Sequence, residues 1–177
     1  GETVMIHAAG SGVSTAGIQL AKQAGATVLA TAGSDEKAER ARQLGAEYVC
    51  NNRTTDVAGF ARECTQGAGV DMVFDHVGTA LFGQSLFGIG VGGRLVNCGN
   101  SSGDEATIPS LGYLFHSGIS ILGSDPYRPE EFGPAWDKYC EGDFSVVIDS
   151  EFALADAADA QEKMMASDFF GKILLRP

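Results

Sequence analysis

Apolar positions in this chain come in short, β-branched runs, and between the runs they recur at the spacing of helix faces. Runs at residues 4–6, 27–31, 47–50, 70–75, 93–98 and 118–123 predict six strands. The segments between them predict helices over 14–25, from the Ser34 cap to Leu44, from 55 or 56 to about 66, and over 80–87. Ser34 has the chemistry of an N-cap, Asp35 and Glu36 complement the helix dipole, and Gly25 and Gly45 supply stops. Beyond Pro129 the rhythm changes. A helix over about 130–140 holds the only tryptophan, Trp136, and is followed by a strand at 146–149, a helix at 156–166 and a last strand at 171–175.

Strands alternating with helices at this spacing require right-handed crossovers, and so an α/β fold: a Rossmann-type, doubly wound parallel sheet of six strands. Its first three strands lie on one side of the switch point and the next three on the other, with ligand outside the strand C-terminal ends. Those ends carry residues 8–12, 31–34, 51–53, 75–78 and 98–102, all rich in small or polar side chains. The predicted division is a nucleotide-binding unit over 1–145 and a return segment over 146–177.

The first of these turns reads Gly10-x-Gly12-x-x-Thr15, so the third glycine of the dinucleotide fingerprint is absent. With no Cβ at Gly10 and Gly12 the main chain can close on a phosphate, while the free N–H groups and positive end of the next helix face the anion. Gly10, Ser11, Gly12, Val13 and Ser14 are therefore the candidate diphosphate cradle. An ordinary tight turn between strand and helix is the other reading of the glycines taken alone.

Composition narrows the partners. The 177 residues, 44% hydrophobic and 20% charged, fit one globular domain of ordinary size. A net charge of −11 argues against nucleic acid or an anionic membrane surface, since each needs a basic footprint. No apolar run reaches the roughly 20 residues of a membrane span, and no signal peptide is visible, so a cytoplasmic location is expected. Cys50, Cys64, Cys98 and Cys140 form no C-x-x-C pair and are expected as free thiols, Cys50 and Cys98 within buried strands. His7 and His76 have no Cys, Glu or second His at ligand spacing, so no metal site is expected; His116 is expected on a loop or helix face. No Ser–His–Asp or paired-carboxylate pattern is present to name a catalytic residue.

Several segments carry a resemblance: His7-Ala-Ala-Gly-Ser-Gly-Val-Ser14, Ala30-Thr-Ala-Gly-Ser-Asp-Glu-Lys37, Leu44-Gly-Ala46, Asn52-Arg53, Gly69-Val-Asp-Met-Val-Phe-Asp-His-Val-Gly78, Gly99-Asn-Ser-Ser-Gly103 and Gly171-Lys-Ile-Leu-Leu-Arg-Pro177. Together the chain resembles the nucleotide-binding half of medium-chain dehydrogenase/reductases, nearest the quinone oxidoreductase-like and zinc-binding dehydrogenase branches. The resemblance implies hydride transfer between a nicotinamide cofactor and a small-molecule carbonyl, activated alkene or quinone. It also implies a preceding GroES-like domain that supplies much of the substrate pocket and, where zinc is used, its ligands. The last helix and strand would return to pack on that domain, leaving the chain from about residue 146 loosely held with an exposed apolar face. An enoyl-reductase module of a larger synthase and a non-catalytic NADPH sensor are the alternatives. A methyltransferase lacks its expected acidic grip after the second strand. Dimerisation is expected through the edge strand at 119–122.

Cofactor preference turns on the end of the second strand. Thr31-Ala-Gly-Ser34 offers no carboxylate for a ribose, so a 2′-phosphate meets no repulsion at Gly33 and Ser34 and can be bonded by Lys37. In related NADPH-dependent enzymes a lysine and a tyrosine hold that phosphate; Lys37 matches the lysine and Asn52 stands in the tyrosine's place. NADP(H) is favoured, with NAD(H) open through Asp35, which could reach the ribose. Arg53 is expected at the adenine edge, Val77 and Gly78 at the ribose, and Gly99, Asn100 and Ser101 at the nicotinamide half. Each has a plainer role available: Ser34 as a cap, Lys37 as a solvated cation, Arg53 in a surface ion pair, Asn100 and Ser101 as a polar turn.

Overall fold

A computed structural model describes residues 1–124, 128–142 and 144–177. Strands β1 (Thr3–Ile6), β2 (Thr27–Ala32), β3 (Tyr48–Asn51), β4 (Val70–Asp75), β5 (Ile89–Asn97) and β6 (Ser120–Gly123) form one sheet in the order β3-β2-β1-β4-β5-β6. Every neighbouring pair is parallel. The connections are α1 (Gly12–Gln23), α2 (Asp35–Leu44), α3 (Val57–Cys64) and α4 (Phe82–Gly88). The order reverses direction between β1 and β4, which opens the switch-point crevice the sequence predicts.

Alternation along the strands sorts the core into two layers. Val4, Ile6, Val28 and Ala30 face one side, where Ile18 of α1 and Ala38 and Ala41 of α2 cover them. Met5, Leu29, Val73 and Leu95 face the other, against Val57 and Ala61 of α3 and Leu86 of α4. Each large side chain buried this way stabilises the fold by about 1.5–3 kcal/mol. Among the described residues no helix is long and apolar enough to cross a membrane.

Several boundaries move, each for a local reason. Helix α1 starts at Gly12 rather than 14 because Ser11 caps it, its Oγ accepting the Ser14 N–H at 3.0 Å. Strand β5 starts at Ile89, ahead of residue 93, from which the pattern predicts it. A Cβ on Gly90 would stand 2.6 Å from the Ala68 carbonyl oxygen, and one on Gly93 2.9 Å from that of Asp71. The glycines thus let a bulged strand press on β4, and the register slips between Val70 and Met72. The stretch before β6, for which the pattern predicts no element, holds α5 (Leu111–His116), capped by Ser110 and tied to β5 where the Tyr113 hydroxyl donates to the Ile89 carbonyl at 2.6 Å. Of the cysteines Cys50 is buried, whereas Cys98 lies just past β5 and is half-buried; among the described residues no disulfide joins them.

Helix α6 (Pro129–Cys140) is exposed throughout, with Phe132, Trp136 and Tyr139 set ring against ring. After it come β7 (Ile148–Ala153), a 3-10 turn at Leu154–Asp156, α7 (Ala157–Met165) and β8 (Lys172–Arg176). Strands β7 and β8 pair in parallel as a separate two-stranded sheet. This return carries apolar side chains open to solvent at Leu154, Met165 and Leu175, yet one ring anchors it in the core. Phe170 is 1% exposed and belongs to the same core layer as Val4 and Ile18.

Candidate functional site

A cleft of about 890 Å³ opens at the C-terminal ends of β1, β2, β3 and β4, and Lys163, Met164 and residues 166–169 form its far wall. The loop leaving β1 bends through Ala8 in the left-handed region (φ +48°), and the Ala9 N–H reaches back to the Thr31 carbonyl at 2.8 Å. Both loop glycines have a neighbour the sequence does not reveal. A Cβ on Gly10 would stand 3.3 Å from the Phe170 ring, and one on Gly12 would stand 2.2 Å from Lys172 Cε. The C-terminal return therefore presses on this loop from behind while its front borders the cleft.

Beneath the loop His7 is fully buried and bonded at both nitrogens. Nε2 lies 2.7 Å from Ser85 Oγ and Nδ1 3.0 Å from Thr31 Oγ1. The Ser85 hydroxyl donates to the Leu81 carbonyl at 2.8 Å, so Nε2–H donates to Ser85 and Nδ1 accepts from Thr31. This is a neutral imidazole, and burial pushes its pKa down to about 4, against the pull of Asp75. It joins β1, β2 and α4 directly under the site.

At the end of β2, Ser34 caps α2 by accepting the Lys37 N–H at 3.3 Å, which leaves its own hydroxyl proton available to a ligand. Lys37 is not a solvated surface cation. Its Nζ donates to the Ser167 carbonyl and sits 5.4 Å from the centre of the Phe169 ring. Burial lowers its pKa, Asp168 opposes that, and the facing Arg53 adds to it. Arg53 lies along the backbone at Gly33, its Nε 3.4 Å from where a Cβ would be. Asp35 accepts from Asn51 Nδ2 at 3.0 Å and is not on the cleft, while the exposed Glu36 is.

At the end of β4, Asp75 Oδ1 accepts the N–H groups of Val77 (2.8 Å) and Gly78 (3.1 Å), a turn that Gly78 completes at φ +79°. Ser101 donates both its N–H and its hydroxyl to the His76 carbonyl, each at 3.1 Å. Asn100 bonds Asp104 at 2.8 Å, and Gly99 packs on His76.

Of the residues the sequence singles out, Gly10, Ser11, Gly33, Ser34, Lys37, Asn52, Arg53, Val77 and Ser101 line this one cleft. Gly12, Val13, Ser14, Gly99 and Asn100 do not line it: Gly12 lies under Lys172, Ser14 is buried, and Asn100 is engaged by Asp104. The far wall is not legible in the sequence. Asp149 of β7 bonds the Phe170 N–H at 2.9 Å, Lys163 at 3.2 Å and Arg40 at 3.7 Å. Burial opposes its charge, but the Phe170 amide and Lys163 outweigh it and hold the carboxyl below its ordinary pKa. No local pattern marks Asp149, because its partners are distant in the chain. Among the described residues no group of three or more His, Cys, Asp and Glu is arranged to hold a metal ion.

A family model described as zinc-binding dehydrogenase matches residues 12–141. The chain belongs to that family. It is 34% identical to a quinone oxidoreductase of Pseudomonas aeruginosa, over 100% of this chain and 57% of that one. Among solved structures, an NAD-dependent alcohol dehydrogenase superposes with a TM-score of 0.92 at 38% identity, covering 100% of this chain and 51% of the other. An Escherichia coli quinone oxidoreductase complexed with NADPH gives a TM-score of 0.87 at 30% identity, over 99% of this chain and 57% of that one. The chain thus spans about half the length of these relatives. It corresponds to the nucleotide-binding part of medium-chain dehydrogenase/reductases.

Proposed function

We propose that this chain is the dinucleotide-holding part of an NAD(P)(H)-dependent oxidoreductase, with NADP(H) the preferred cofactor. The observation that carries the preference is at the end of β2, where Ser34, Lys37 and Arg53 converge on one wall of the cleft. Two cations near enough for one to lower the other's pKa suit a doubly charged phosphate. In this reading the capped loop over Gly10 and Ser11 takes the diphosphate, Ser34 and Lys37 the 2′-phosphate, Arg53 and Asn52 the adenine end, and Val77 with Ser101 the nicotinamide end. Gly12, Val13, Ser14, Gly99 and Asn100 shape those loops from outside the cleft. The bound nicotinamide supplies hydride chemistry toward a carbonyl, activated alkene or quinone. The chain's own residues bind and orient, and none is assigned as acid or base. Residues 1–145 form the binding unit, and residues 146–177 carry its far wall toward a substrate-binding part of the enzyme.

Titration with NADPH and NADH tests this. NADPH should bind about tenfold more tightly, and Lys37→Ala should remove most of that margin while leaving NADH within about twofold, a difference of roughly one charge-assisted bond. Tighter NADH in the unaltered chain would overturn the preference.

We also propose a homodimer through β6. Its four residues are exposed, with Ile121 and Leu122 apolar, and it is the last strand of the sheet among the described residues. Sedimentation at micromolar concentration should show a dimer that Ile121→Lys dissociates; a monomer would refute the arrangement.

A further inference from the structure

His76 follows Asp75 at the end of β4, and its ring crosses the switch point to the first turn of α1. Nε2 stands 2.7 Å from Ser14 Oγ and 3.1 Å from Ser11 Oγ. The Ser14 hydroxyl proton goes to the His7 carbonyl at 2.6 Å, and Ser11 Oγ already accepts the Ser14 N–H at 3.0 Å. Toward the ring, Ser14 Oγ can then only accept. Nε2 therefore carries the hydrogen, and Nδ1 is the position left for a second proton. The ring borders the same cleft as Gly10 and Ser11.

We propose that His76 makes the grip of this cleft on a diphosphate depend on a proton: the imidazole takes one up as the anion arrives, so nucleotide is held more tightly as pH falls from 8 to 6. The inference rests on the dinucleotide reading above and adds a positioning residue to it. In the open cleft, burial lowers the ring's pKa from its ordinary value, against Asp75 and the nearby carbonyls of His7 and of His76 itself. His7, the other titratable neighbour, stays uncharged over that range and does not repel a proton. A doubly negative diphosphate beside Ser11 adds the attraction that burial outweighs in its absence. Protonation fills Nδ1 and leaves the Nε2 bond to Ser14 intact, so the first turn of α1 keeps its shape while the cleft gains a positive charge. By linkage, whatever raises proton affinity on binding also raises nucleotide affinity at lower pH.

The probe should be ADP-ribose, which carries the diphosphate without a 2′-phosphate, since a phosphomonoester titrates at about pH 6 itself and would mask the ring. Calorimetry on the full chain at pH 6, 7 and 8, in buffers of different ionisation heat, should give fractional proton uptake and a Kd about tenfold tighter at pH 6 than at pH 8. NMR of the His76 ring at pH 7 should move toward the imidazolium when ADP-ribose is added, a readout that needs no variant. His76→Gln, whose amide N–H can keep the Ser14 bond but cannot titrate, should bind with a Kd that no longer varies with pH. A flat profile without proton uptake in the unaltered chain, or a slope that survives His76→Gln, would overturn the inference alone. Failure of ADP-ribose, NADP+ and NADPH alike to bind would instead overturn the dinucleotide reading.

Discussion

The six-stranded unit and the C-terminal return are held in opposite ways. Strands β1 and β2 are buried almost completely, and two helix layers close over both faces of the sheet. In the return, Phe170 is the one large apolar side chain that is fully buried; most of β7, α7 and β8 lies open. What secures it is that aromatic anchor, the Asp149 hub of one amide and two cations, and the Gly171 N–H donating to the Gly10 carbonyl at 2.8 Å. Yet the same return forms the far wall of the cleft and backs the glycine loop. A segment with few anchors thus helps set the shape of the candidate cofactor site.

The strongest way to break that contrast is to remove the anchor. Phe170→Ala should cost about 3–5 kcal/mol in urea denaturation, as deletion of a buried aromatic does. It should also weaken nucleotide binding, because the ring stands behind Gly10. A loss under about 1 kcal/mol would mean that the return contributes nothing to the core.

Acid tests the six-stranded unit at His7. The unfolded ring titrates near its ordinary 6.5 and the folded one at about 4, so between those values the unfolded chain binds the extra proton. Stability from this group is fully present above pH 6.5, falls as pH drops toward 4, and amounts to about 3 kcal/mol in all. Denaturation midpoints measured from pH 7 to 4 should fall accordingly, and a flat profile would contradict the neutral, buried assignment. The smallest effect sharpens the comparison from the other side. Met165, on the same return as Phe170, is 76% exposed, and Met165→Ser should change stability by no more than about 0.5 kcal/mol.

The sheet was legible because its central strands β1 and β2 are buried on both faces and its turns are marked by glycine and by capping side chains. The period of Val4–Ile6, the cap at Ser34 and the stop at Gly45 are local signals, and each lies where the pattern predicts. The bulged start of β5 was not legible. Gly90 lies outside the strand that the pattern starts at Gly93, until the backbone at Ala68 is seen to occupy the space its side chain would need. Helix α5 was hidden for a related reason: at 6 residues it is too short to show a period, and its tie to Ile89 through Tyr113 is a long-range bond.

Within the cleft the split is the same. By itself the chain determined the loop at Gly10 and Ser11, the wall at Ser34 and Lys37, and the family to which these motifs belong, since residues close in sequence carry them. Only the tertiary structure decided that Gly12 and Ser14 lie behind the loop, that Lys37 rests on Ser167 and Phe169, and that Asp149 and Phe170 brace the whole from more than a hundred residues away. Burial and charge pairing depend on what arrives from elsewhere in the chain, and periodicity and spacing carry no record of those arrivals.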